Sequence, residues 1–270
     1  MRYRIVIPVL NQLHFTRQCV ENLLAHGTPP EAILVIDNGS SDDTPAWLAS
    51  MPQLPSVRNP VNLGCGGAWT QGALLSGEAD WVVLLNNDIV SGHAFVPAML
   101  DAADRFGLDV VSCAMVEREL DYPLETFTAE FVAEMRDVLR RGWFHGVCFA
   151  VRRPVFERIG FPDTDRLLFG REDSEFLWRC RRHDVPVGTV GAALLHHFGS
   201  ITQDAIRRET GVRKFGDHRY FYARIGLNWW GRQRAKFARK AQTRRWVHEE
   251  RAAHGRTLHM VHAGGGWEHR

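Results

Sequence analysis

No apolar run in the 270 residues approaches the ~18 consecutive residues that a membrane-spanning helix needs. The stretch after Met1-Arg2-Tyr3-Arg4 is apolar for only six residues before Asn11 and Gln12. That is too short for a signal-peptide core, and no small-residue cleavage site follows. Cysteine pairing is also missing. Cys19, Cys65, Cys113, Cys148 and Cys180 are odd in number, scattered and without a C-x-x-C pair. A disulfide framework or structural zinc site is therefore not expected, and a reducing cytoplasm is. There is no internal repeat, and no low-complexity segment before Gly264-Gly265-Gly266. What remains is an ordinary globular balance, 45% hydrophobic and 24% charged, which excludes a disordered or collagen-like chain.

The net charge of +2 is unevenly spread. Residues 231–270 hold ten Lys/Arg against three Asp/Glu, a local +7 that leaves −5 for the rest. The reading is a body over 1–230 and a basic, helical, Trp- and His-containing tail over 231–270 that stands apart from it. The tail is expected to dock an anionic membrane surface or a second copy of the chain; nucleic acid is not expected as a partner.

Short β-branched runs alternate with helical patterns. Ile5–Ile7, Ile33–Ile36, Trp81–Leu85 and Val110–Val111 read as strands buried on both faces, as in a parallel sheet covered by helices. Amphipathic stretches around Cys19–Leu24, Gly64–Ser76 and Phe95–Phe106 read as the crossovers between them. The fold class is α/β, with a mostly parallel Rossmann-like sheet flanked by helices. A division of the body near residue 114 is expected. Glu117–Arg141, charged and interrupted by Pro123, reads as a long loop with a helix over the site. Gly146–Val151 reads as a strand and Arg171–Arg182 as a helix with Phe176, Leu177 and Cys180 inward. From Thr202 to about Ala253 the pattern is helical and basic.

In open α/β sheets ligands bind at the carboxyl ends of the strands. Here those ends carry Pro8-Val9-Leu10-Asn11, then Asp37-Asn38-Gly39-Ser40, then Asn86-Asn87-Asp88. One Asp-Asn-Gly-Ser alone is commonly a turn and a helix cap. Three such ends in register point to a binding crevice. Later come Glu172-Asp173 at a helix start and His196-His197 at the end of an apolar strand. Asp88 with one of these histidines makes a candidate hard-metal site.

In order and spacing, these segments resemble the inverting nucleotide-sugar glycosyltransferases of family 2, which have the GT-A fold. The resemblance covers about residues 3–200. It rests on Ile5-Val6-Ile7-Pro8-Val9-Leu10-Asn11, Val35-Ile36-Asp37-Asn38-Gly39-Ser40, Asn62-Leu63-Gly64-Cys65-Gly66-Gly67, Leu85-Asn86-Asn87-Asp88, Glu172-Asp173 with Arg179, and His196. It implies an enzyme that moves a hexosyl or deoxyhexosyl group from a UDP-, dTDP- or GDP-sugar to a hydroxyl acceptor, with a catalytic domain over 1–230, its donor-binding half about 1–114 and its acceptor half about 115–230, and the tail outside the active site. Asp173 would be the general base, with Glu172 beside it. Asp37 would bind the base of the donor, Pro8 and Leu10 would line its pocket, and Asn11, Asn38, Gly39, Asn62, Gly64, Gly66, Gly67, Asn86 and Asn87 would surround the donor. Asp88 and His196 would hold Mn²⁺ or Mg²⁺, with His197 a lesser candidate. Trp143, His145 and Arg171 are candidate acceptor contacts.

The residue types suit the chemistry. A departing nucleoside diphosphate needs a cation, and no lysine lies near the three strand ends. Three departures stand out: Asn86 where the family often has Asp, Thr70 where it often has Asn, and Glu175 as the second acid of the helix. Competing readings of the glycine turn fit less well. Pro60 spoils the buried strand that a methyltransferase loop would follow. Trp69 stands where a dinucleotide fingerprint needs its third glycine. A binding protein that has kept the fold but lost turnover is the alternative that Asn86 favours and Asp173 opposes.

Overall fold

The computed structural model describes residues 1–168, 170–199 and 218–270. Strands β1 (Tyr3–Val9), β2 (Ile33–Asp37), β3 (Ser56–Arg58) and β4 (Trp81–Leu85) form the parallel half of one sheet. Helices α1 (Leu13–Ala25), α2 (Thr44–Ala49) and α3 (Gly64–Leu75) connect them. Period-two alternation sends Ile5, Ile7 and Val9 into the apolar layer under α1 and α4 (Phe95–Phe106), and Val6 into the layer under α3. Pro8 is tolerated in this central strand because the ladder to β4 ends at Val6.

Beyond β4 the order becomes mixed. β5 (Ile89–Ser91) pairs antiparallel with β9 (Val187–His197), and β6 (Val110–Arg118) pairs parallel with it. β8 (Cys148–Arg152) runs antiparallel between β4 and β6. Helices α5 (Leu124–Met135), α6 (Arg153–Ile159) and α7 (Glu172–Arg182), and the short strand β7 (Leu139–Arg141), complete this half. The sequence boundary at 114 falls inside β6, and the expected loop over 117–141 is a strand end, a helix and a second strand.

The C-terminal part differs most from expectation. The helical reading from Thr202 through residue 217 lies outside the described residues. After it come α8 (His218–Arg224) and α9 (Trp229–His254), so the boundary at Gly231 falls within α9. Then β10 (His259–Ala263) joins the central sheet parallel to β6, and β11 (Gly266–His269) closes a hairpin on it. The tail is therefore part of the sheet, and Leu258 and Met260 complete an apolar layer with Val116, Phe131 and Met135. No described helix is long and apolar enough to cross a membrane.

Candidate active site

The donor-side strand ends are tied to one another. Asn11, in a left-handed conformation, accepts the Ser41 N–H at 2.7 Å and donates its own N–H to Ser40. Asn38 bridges Gly64 O and the Asn59 side chain, and Asn62 accepts the Gly64 N–H at 2.8 Å. Asn87 donates to Thr16 at 2.9 Å, and the Asn86 backbone pairs with Val147. These amides shape the loops through protein contacts. Pro8 and Leu10 are half-buried beside them. Gly39 turns the chain at φ 85°, as Asp-Asn-Gly-Ser predicts.

Asp37 is fully buried. Its Oδ1 accepts the Ser40 N–H at 2.8 Å, while Oδ2 lies 3.5 Å from the Arg58 guanidinium and lacks a hydrogen-bond partner among the described residues. Gly66 is required by packing: a Cβ there would stand 2.1 Å from Asp163 O and 3.0 Å from the Glu172 side chain. The glycine turn thus abuts the helix that carries Asp173. Burial chiefly, then the carboxylates of Glu172, Asp173 and Asp88, raise the pKa of the Cys65 thiol.

Asp173 opens α7. Its Oδ1 accepts the Ser174 N–H at 2.7 Å, and its other oxygen lies where a Cβ on Gly146 would come within 2.7 Å. Burial raises its pKa against the pull of the Ser174 hydrogen bonds, Arg171 and Arg239. Burial lifts the neighbouring Glu172 to about 7. Arg179 turns away, onto Glu175 and the carbonyls of Ile159 and Phe161.

The histidine pair requires a correction. Neighbouring residues of a strand face opposite sides. His197 faces Asp88 at 3.4 Å and Glu117 at 3.5 Å. His196 faces the other way: its Nδ1 accepts from the Tyr122 hydroxyl at 2.9 Å and its Nε2 donates to Arg118 O at 3.2 Å. Both His196 nitrogens are engaged, so it offers no lone pair beside Asp88. Burial lowers the His196 pKa to about 4; that of His197 stands at about 9, because burial is outweighed by Asp88 and Glu117.

Trp143, His145, Arg171 and Asp173 come together along a cleft of ≈ 350 Å³. His145 donates Nε2–H to Cys113 O at 2.8 Å, and burial lowers its pKa to about 4. The cleft also holds residues that the sequence reading missed: Glu117, Arg140, Arg239 and His259. Glu117 lies one residue before the end of β6, within reach of the strand-end rule once that strand is read at full length. Its carboxyl pKa is held below the usual range because the His197 and His259 partners outweigh burial. Arg239 and His259 come from the tail, contrary to the expectation that it stands apart. Nothing in the local sequence marks them.

The sequence profile of glycosyl transferase family 2 matches residues 4–160. The chain belongs to this family and is a glycosyltransferase. It is 27% identical over 208 residues to an N-acetylglucosaminyl-diphospho-decaprenol L-rhamnosyltransferase of Mycobacterium tuberculosis, covering 62% of this chain and 67% of the relative. Solved structures with the same fold include GalNAc-T7 with UDP, GalNAc and Mn²⁺ (TM-score 0.58, 14% identity, 73% of this chain). The chain spans only 44% of that protein's length. Staphylococcus aureus TarS 1–349 superposes at TM-score 0.57 with 12% identity, over 83% of this chain and 69% of its own. A Pyrobaculum calidifontis mannosyltransferase in complex with GDP-Man and Mn²⁺ follows at 0.54 and 19%, over 83% and 68%. All share the GT-A arrangement of a curled, mostly parallel sheet with flanking helices.

Proposed function

We propose that this glycosyltransferase is inverting: it moves a hexosyl or deoxyhexosyl group from a nucleoside-diphosphate sugar to an acceptor hydroxyl, with Asp173 as general base. The observation that carries the reading is the Asp173 carboxylate, held by its own helix start, packed against Gly146 and facing the cleft. One oxygen is fixed by the Ser174 N–H, and the other is left to take the proton of the attacking hydroxyl. The raised pKa makes the carboxylate a better proton acceptor than an exposed aspartate. Glu172, buried, packs between this helix start and Gly66. The buried Oδ2 of Asp37 supports donor recognition, since a nucleobase N–H would complete it when the half-exposed Arg58 swings aside. A GDP-sugar in one neighbour and UDP in others leave the nucleotide to be chosen by experiment.

Metal assistance fits a two-ligand protein site. The His197 nitrogens are buried without a hydrogen bond among the described residues, and Asp88 lies 3.4 Å away. No described group of three or more His, Cys, Asp or Glu is arranged to hold an ion. Asp88 and His197, the latter giving up its proton to the incoming ion, would hold Mn²⁺ or Mg²⁺ only together with the donor diphosphate. Bound there, the ion would neutralise the charge of the leaving group. The test is release of nucleoside diphosphate from a panel of donor sugars, with and without EDTA, followed by NMR of the product anomer. Retained configuration would rule out the base mechanism, and full activity in EDTA would rule out the metal. Binding of a donor without turnover under any condition would instead favour a non-catalytic sugar-nucleotide-binding protein.

A cytoplasmic enzyme docked at the inner membrane face is supported by α9. Trp230 and Phe237, 71% and 70% exposed, lie two turns apart on its outward face with Arg234 and Arg244 nearby. Co-sedimentation with phosphatidylglycerol vesicles should be strong, and Trp230→Glu should abolish it. Dimerisation through the same face would assign it to a second copy instead.

A further inference from the structure

The cleft beside Asp173 gathers guanidinium groups from separate stretches of chain: Arg140 on β7, Arg171 before α7 and Arg239 on α9. Two of the charges there are matched within the protein. Arg140 forms a buried double ion pair with Glu250 at 2.6 and 2.8 Å. Glu117 is held by His259 at 2.9 Å and His197 at 3.5 Å. Arg239 is different. Its guanidinium stands 4.0 Å over the Trp143 ring, and none of the described carboxylates reaches ion-pair distance of it. Burial lowers its pKa, with the Asp173 carboxylate pulling against that and the like charges of Arg171 and Arg181 adding to it.

This placement is fixed by the fold. Arg239 and Glu250 are eleven residues apart, about three helical turns, so they share the face that meets the body. Glu250 is buried and also accepts the Leu258 N–H at 2.8 Å. The anchor holds α9 against β7 and aims Arg239 at the cleft. An arginine held in like-charge company beside a base, its guanidinium over an indole face, is suited to an anion it can bind through two N–H groups.

We propose that Arg239, together with Arg171, binds a phosphate group of the acceptor, so that the C-terminal helix selects acceptors whose reactive hydroxyl lies near a phosphate or diphosphate. This rests on the glycosyl-transfer reading above. Such a phosphate belongs either to a soluble sugar phosphate or to a lipid-linked sugar diphosphate.

The test titrates the full chain calorimetrically with a hexose 1-phosphate, the matching methyl hexoside and inorganic phosphate. A short-chain prenyl diphosphate sugar in detergent forms a further arm. The phosphate-bearing sugars should bind about 10–100-fold tighter than the methyl hexoside, the range of a charge-assisted contact. Arg239→Ala should remove that preference, Arg239→Lys should restore part of it, and Lys240→Ala should not change it. Tighter binding of the prenyl compound would mark the lipid-linked source, and equal affinity the soluble one. Equal binding of charged and neutral sugars by the wild-type chain would overturn the proposal. So would an Arg239→Ala variant that loses nucleoside diphosphate affinity instead, since that would put Arg239 at the leaving group. Nucleoside diphosphate titrated into the wild-type chain reads the parent hypothesis separately. Its binding beside a null result for hexose phosphate sinks only the Arg239 proposal, whereas its failure to bind sinks both.

Discussion

Along the donor side of the crevice, polar residues mostly bind within or between the strand-end loops: Asn11 to Ser41, Asn38 to Gly64, Asn62 to Gly64. Along the cleft side they bind across the chain: Arg140 to Glu250, Glu117 to His259, Arg239 over Trp143. The first kind joins the short motifs that end neighbouring parallel strands, β1 to β2 and β2 to the turn after β3. The second needs the whole sheet, because β10 must pair with β6 before His259 can meet Glu117. One half of the site is therefore a set of self-braced turns, and the other a convergence of segments up to 142 residues apart.

That contrast can be broken experimentally, most forcefully at the convergence. Asp173→Asn should lower kcat by about 10²–10⁴-fold with donor affinity little changed, as loss of a general base requires. Gly146→Ala should reproduce much of that loss, because the added methyl would collide with the Asp173 carboxylate. Steady-state kinetics with donor titrations checks both. Next is the anchor. Glu250→Ala leaves Arg140 buried and unpaired and should cost about 3–5 kcal/mol in chemical denaturation. Truncation at Gly231 would remove β10 and β11, so it should fail to give a stable, active protein. An active truncation would show that the tail's contacts are dispensable.

A third measurement uses pH. The Glu172 pKa is raised by burial from 4.5 to about 7. The neutral carboxyl is the favoured folded form, so its contribution is full below pH 4.5 and is lost as pH rises through 7. Glu172→Gln should therefore gain stability relative to wild type between pH 5 and 8, by no more than about 3 kcal/mol. A constant difference across that range would contradict the assignment.

On the donor side, Asp37→Ala should weaken nucleoside diphosphate binding by about 1.5–3 kcal/mol through loss of a charge-assisted hydrogen bond. Unchanged affinity in calorimetry would show that Asp37 only braces Ser40. The smallest and most discriminating change is at the histidine pair. His197→Ala should reduce Mn²⁺-dependent donor affinity by about 10–100-fold. His196→Ala should leave that affinity intact and lower stability, because it loses the hydrogen bonds to Tyr122 and Arg118. The reverse pattern would restore the assignment made from sequence.

The sequence by itself determined the parallel first half. The Ile5–Ile7, Ile33–Ile36 and Trp81–Leu85 runs became β1, β2 and β4, and Phe95–Phe106 became α4 with the same bounds. Apolar period and turn residues are local properties, and buried strands leave little choice about them. It also brought Asp173, Trp143, His145 and Arg171 into view as candidates. It could not choose between His196 and His197, because pairing of β9 with β5 and β6 sets which parity faces Asp88, and a slip of one residue inverts it. Nor could it place the tail. The basic charge of residues 231–270 read as a solvated extension. Only the tertiary structure showed that His259–Ala263 completes the sheet and that Glu250, buried on Arg140, turns Arg239 toward the cleft. Strand partners and buried ion pairs join residues far apart in sequence, and no local pattern encodes which distant partner will be met.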